Sequence, residues 1–134
     1  MNRSTARENA FLLLFESACK SDEVAEEIFS GAVEYRDFKT DDYVKGVFFG
    51  VNENKKIISE KIDENLVGWQ RSRVSKVSEA LLNLAVYEMM FVEDIPTKVC
   101  INEAVKLSKK YDDEKAYKFV NGVLNAVAES LGKK

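Results

Sequence analysis

Apolar residues recur with helical spacing along the whole chain, and no stretch alternates as a strand would. Near the N-terminus Ala10, Phe11, Leu14 and Ala18 share one face of a helical wheel, widened by Leu13 and Phe15. Asn9 and Glu16 form a narrow polar strip with Leu12 beside it. Thr5-Ala6-Arg7-Glu8 fits a capping box, so the first helix is predicted to start near Thr5. A second is predicted over residues 22–35, with Ser21 as cap and acids in its first turn, where the helix dipole favours them. Residues 36–40 read as a connection. Val44, Val47, Phe48, Val51, Ile58, Ile62 and Leu66 then give the stripe of one long helix over residues 41–67. Within it Gly46 and Gly50, spaced i and i+4, would admit a close neighbour. Gly68-Trp69 and a polar, basic stretch over residues 70–76 follow. Residues 74–92 are apolar nearly all round (Val77, Leu81, Leu82, Leu84, Ala85, Val86, Met89, Met90), which places that helix at the centre of a bundle. Asp94-Ile95-Pro96 stops it, because Pro disfavours helical geometry in the residue before it. Thr97 is the predicted cap of a fifth helix reaching Tyr111. Asp112 or Asp113 caps a sixth that ends near Gly132. The pattern predicts an all-α domain wrapped around a central helix.

Composition narrows what such a domain does. The 134 residues read as one domain over 1–134, with no repeat, linker or low-complexity tract. Histidine is absent, which removes Ser-His-Asp and Cys-His machinery and His-ligated metal sites. Two cysteines, Cys19 and Cys100, are too few for a usual four-ligand zinc site or a disulfide scaffold and suit a reducing cytosol. No apolar run approaches the ~20 residues that span a bilayer, and the N-terminus lacks the apolar stretch of a signal peptide. A cytoplasmic protein without membrane contact, metal or cofactor is the expectation. The net charge of -3 is unevenly spread. Residues 21–44 hold eight acids and two bases, whereas residues 45–78 hold seven bases and four acids. Partner choice follows these local fields.

No residue set suggests catalysis. Asp41-Asp42 and Asp112-Asp113 lie at predicted helix starts, where capping explains them. Cys100 falls on a buried face with Ala104, Leu107 and Tyr111 and has no His to activate it. Gly46-x-x-x-Gly50 lacks the Lys-Ser/Thr of a phosphate loop. The last helix is more informative. Ala116, Phe119, Val120, Val123, Leu124, Val127 and Leu131 lie on one arc, and Lys115, Lys118, Asn121, Gly122 and Asn125 on the opposite one. Mid-helix Gly costs about 0.5–1 kcal/mol relative to Ala. Gly122 is therefore either a place where a ligand or partner backbone approaches, a tolerated weakness, or a contact with another part of the chain. The surrounding donors suit phosphates and base edges. Arg3 and Arg7 in a flexible N-terminal arm, and Arg71, Arg73 and Lys76, form two further basic patches.

The stretch from Asp94 through Ile95-Pro96-Thr97-Lys98-Val99 and Ile101-Asn102-Glu103-Ala104-Val105 to Leu107, with Lys118-Phe119-Val120-Asn121-Gly122-Val123-Leu124, resembles the NusB family of bacterial transcription factors. That family's patterns there are DIPxKVxINEAVxLAK and KFVNGVLD. Ala6-Arg7-Glu8 with Ala10 is similar to its ARExA start, and Leu82-Asn83-Leu84-Ala85-Val86-Tyr87-Glu88 to its LRxAxYE segment. The resemblance runs through the whole chain in order, and the length fits a free-standing member.

The resemblance implies six to seven helices in two small bundles. It also implies a non-catalytic role in transcription antitermination: binding boxA-type single-stranded RNA in nascent ribosomal RNA leaders together with NusE, a small-subunit ribosomal protein. Other Nus factors and RNA polymerase would be engaged indirectly. Carried onto this chain, the RNA-facing residues are Arg3, Ser4, Arg7, Phe15, Lys115, Lys118, Phe119, Asn121 and Gly122, and the partner-facing ones Ser78, Glu79, Leu82 and Asn83. Ser4 and Thr5 stand where the family often has Arg, so the arm is thinner than usual, and Asn83 stands where LRxAxYE has Arg. Some members self-associate, and Gly46, Gly50 or the polar arc would serve for that here. The competing expectation is a helical protein–protein adaptor with little intrinsic RNA binding.

Overall fold

The computed structural model describes all residues except Val67 and Lys134. Among the described residues it holds seven α-helices, one 3-10 turn at Arg71–Arg73 and no strand. The helices are α1 (Arg3–Cys19), α2 (Ala25–Tyr35), α3 (Asp42–Glu53), α4 (Lys55–Asp63), α5 (Lys76–Phe91), α6 (Thr97–Tyr111) and α7 (Ala116–Ser130).

α5 is the axis. It packs against α1, α3, α4, α6 and α7, and buries Leu81, Leu82, Leu84, Ala85, Val86 and Met89. One bundle forms where α1 meets α2, α3 and α5; the other gathers α4, α6 and α7 around the rest of α5. The last helix closes as expected. Gly132 adopts φ 70°, and the Lys133 and Gly132 amides donate to the Ala128 and Glu129 carbonyls at 2.9 and 3.0 Å.

Helix boundaries differ from the sequence pattern for local reasons. α1 starts at Arg3, because Asn2 caps it and accepts from the Thr5 amide at 2.8 Å. The arm is thus largely helical. The capping box does not form: the Glu8 carboxylate instead takes the Lys110 ammonium at 2.6 Å and the Tyr111 hydroxyl. Those bonds, from Lys110 first, hold its pKa below the ordinary carboxylate range. Residues 21–24 precede α2, which has Val24 rather than Ser21 at its cap. At α6, Pro96 occupies the cap and Thr97 is already helical.

The long helix expected over residues 41–67 is two. Asn54 ends α3: its amide and its side-chain nitrogen both donate to the Gly50 carbonyl, at 3.1 and 2.8 Å. Its own carbonyl already accepts from Ile58 in α4. Val51 and Ile58 keep the same apolar phase across the break, so the pattern hides it. α4 ends at Asp63, and the expected terminus at Val67 lies outside the described residues. Gly50 does permit a close approach, since a Cβ there would overlap the Tyr87 ring. That contact is within the chain, so Gly50 is not a surface for self-association. Gly46 faces open space.

Candidate nucleic-acid interface

Three of the expected contact residues are structural. Arg7 is 3% exposed and lies against Glu88, 0% exposed, in the middle of the otherwise apolar α5. Its Nε and Nη2 donate to the two Glu88 oxygens at 3.1 Å each, and Nη1 donates to Glu103 at 3.3 Å. The Tyr43 hydroxyl completes the cluster by donating to Glu88 at 2.7 Å. A guanidinium so enclosed cannot reach a phosphate, so Arg7 leaves the interface. Leu82 leaves the partner surface for a simpler reason: at 1% exposure it is core. Ser78, 2% exposed, is likewise no surface residue and bonds inward to Asp112.

The remaining residues divide by place. Arg3 and Ser4 are exposed at the start of α1, where the Arg3 guanidinium sits 4.3 Å from the Tyr43 ring centroid. Further along α1, half-buried Phe15 lies beside Phe11, whose ring is 5.1 Å from that of Tyr111. Glu79 and Asn83 line a shallow hollow with Leu14, Ala18 and Lys76 on another side of α5. Lys115, Lys118, Phe119 and Gly122 come together at the start of α7, with exposed Asn121 alongside. Asp113 builds that start by accepting from the Lys115 and Ala116 amides at 3.0 Å each.

At this point the structure adds a residue that the pattern did not single out. Trp69 is 56% exposed, and its ring centroid is 4.7 Å from that of Phe119. The pair separates two open grooves. One, of about 190 Å³, runs past Arg73, Ser75, Asp112 and Lys115. The other, of about 380 Å³, runs past Lys118 and Gly122. Arg73, Lys115 and Lys118 make no ion pair within the chain among the described residues, whereas Arg71 is held by Asp63 at 2.6 Å and Lys76 by Glu79 at 3.6 Å. An exposed Trp following a Gly in a basic loop was the available signal.

Gly122 resolves plainly. A Cβ there meets nothing within 4 Å, so no packing within the chain requires glycine. Gly122→Ala is expected to raise stability by about 0.5–1 kcal/mol in thermal unfolding. A loss of stability would reveal a steric demand that the geometry lacks.

The Cys100 thiol is pushed up to about 12 by burial and by the Glu88 charge, which leaves it protonated and inert. No group of His, Cys, Asp and Glu among the described residues suits a metal. No described helix is long and apolar enough to cross a membrane.

Fold and face together define a class: an all-helical domain with an open aromatic surface edged by unpaired cations. The model of the NusB family matches residues 4–129. Transcription antitermination protein NusB of Clostridium perfringens (strain SM101) is 40% identical over 135 residues, covering 98% of this chain and 99% of that protein. Its counterpart in Clostridium botulinum (strain Alaska E43) is 43% identical over 130 residues, covering 95% and 98%. A chain in a crystal structure of antitermination factors NusB and NusE in complex with double-stranded RNA superposes with a TM-score of 0.83 at 32% identity, covering 96% of each chain. The chain belongs to the NusB family.

Proposed function

We propose that this protein is a transcription antitermination factor. It binds boxA-type single-stranded RNA of nascent ribosomal RNA leaders jointly with NusE, and helps RNA polymerase read through terminators. Family membership and the similar NusB–NusE–RNA structure support the role. The observation that carries the RNA surface is the Trp69–Phe119 pair set between unpaired cations. Bases stack on such rings while lysines and arginines hold the phosphates, and the combination tolerates many sequences. Gly122 lets a backbone come close to the helix. Arg3, Ser4 and Phe15 extend the track along α1 toward Tyr111. The protein acts as an adaptor, and no side chain forms or breaks a bond. The partner surface narrows to Glu79 and Asn83, which the hollow beside α1 leaves accessible.

Trp69→Ala is expected to weaken RNA binding by about five- to a hundredfold, from the ~1–3 kcal/mol that one stacked base supplies. Fluorescence anisotropy with a labelled boxA-like oligonucleotide measures this. Unchanged affinity in the folded variant removes the aromatic pair from the interface.

A further inference from the structure

The groove between the Trp69–Phe119 pair and the start of α5 is lined by groups of opposite character: the two aromatic rings, the cations Arg73 and Lys115, and a polar side, its floor, of Ser75, Ser78, Asp112 and Asp113. The Ser75 hydroxyl donates to Asp112 Oδ2 at 2.6 Å, and the Ser78 hydroxyl donates to the same oxygen at 3.1 Å. Asp112 Oδ1 accepts from the Asp113 amide at 2.9 Å. A serine hydroxyl has a single proton, and both protons are committed to Asp112. The floor therefore presents lone pairs and a negative charge, with no side-chain donor of its own. A carboxylate has about four acceptor positions, so one remains on Asp112.

This polarity selects what enters. A phosphate is repelled by the floor and stays at the cationic rim. A base can lie against Trp69 or Phe119 with its edge toward Asp112, provided that edge donates. Cytosine offers its N4 amino group, the donor that carboxylates accept from in base recognition. Uracil places a carbonyl oxygen at the same position, acceptor against acceptor. We propose that Asp112 makes this groove a subsite that selects an amino-bearing base, cytosine over uracil. Ser75 and Ser78 are positioning residues that fix its carboxylate. The inference rests on the RNA-binding reading above.

The test compares single-stranded RNA dodecamers of cytidine and of uridine by anisotropy near neutral pH. Both carry the same phosphates, so the electrostatic contribution cancels in the ratio of affinities. The wild-type protein is expected to prefer the cytidine strand by about five- to a hundredfold. Asp112→Asn turns one acceptor into a donor and should bring the ratio close to one. Equal affinities in the wild type, or a ratio unmoved by Asp112→Asn, overturn the subsite but leave RNA binding standing. Failure of the wild type to bind either strand, alone and with saturating NusE, overturns both. Asp112 also ties α5 to the end of α6, so a measurement without a variant accompanies the first. Cytidine monophosphate should shift the Trp69 indole and Asp112 amide resonances of the wild type at lower concentration than uridine monophosphate does. Equal shifts contradict the proposal.

Discussion

Arg7→Ala is expected to lower the unfolding free energy by about 3–5 kcal/mol in urea titration, the scale of removing one partner from a buried ion pair. The substitution strands the Glu88 carboxylate, which is 0% exposed, with only the Tyr43 hydroxyl as a close partner among the described residues. Arg7→Lys should recover a minority of the loss, because an ammonium cannot reproduce the two-pronged bonds at 3.1 Å. Replacing the cluster as a whole is a different matter. Arg7→Met with Glu88→Leu and Tyr43→Phe removes every charge and the hydroxyl at once. Apolar replacement of buried ion pairs is often neutral or stabilising. A loss below about 1 kcal/mol for Arg7→Ala would show that water reaches the pair and screens it as at a surface. Folded Arg7→Lys protein should retain RNA affinity, which separates a structural arginine from a phosphate contact.

Replacing both Lys115 and Lys118 by Ala is the largest change expected at the surface. Charge-assisted hydrogen bonds contribute about 1.5–3 kcal/mol each, so two lost phosphate contacts weaken RNA binding by about a hundredfold to ten-thousandfold. The salt dependence is the sharper readout. Each phosphate neutralised on a single strand adds about 0.7 to the slope of log affinity against log salt, so the double variant should be shallower by about 1.4. Both side chains are exposed and without ion pairs among the described residues, so circular dichroism should not move. An unchanged slope would show that the strand runs elsewhere, along Arg3 and α1.

α5 and α7 were readable because a buried helix and a two-sided helix leave different apolar patterns. The break at Asn54 was not, since the apolar phase continues across it and only a side chain's return to Gly50 ends the helix. Lys115, Lys118 and Gly122 share one arc at the start of the last helix, so a wheel gathers them, whereas Phe119 falls on the apolar arc and joins them through the family resemblance. Trp69 lies in a loop far from Phe119 in sequence, and periodicity says nothing about loops. Arg7 misled for the same reason. In sequence it is one more base in a basic arm, and its partner Glu88 lies 81 residues away inside an apolar run. Leu82 opens the LRxAxYE-like segment and Ser78 lies one turn before it, yet burial depends on what packs over them, and α5 is covered on nearly every side.

The central claim is that RNA and NusE bind to one protein jointly. The direct measurement is the dissociation constant of a boxA-like single strand with the wild-type protein alone and with saturating NusE. The prediction is weak binding alone and a gain of at least about tenfold with NusE, since linked contacts raise avidity without new chemistry. By linkage, RNA should tighten NusE binding by the same factor. NusE binding with RNA affinity undetectable in either state would contradict the account and leave a protein–protein adaptor.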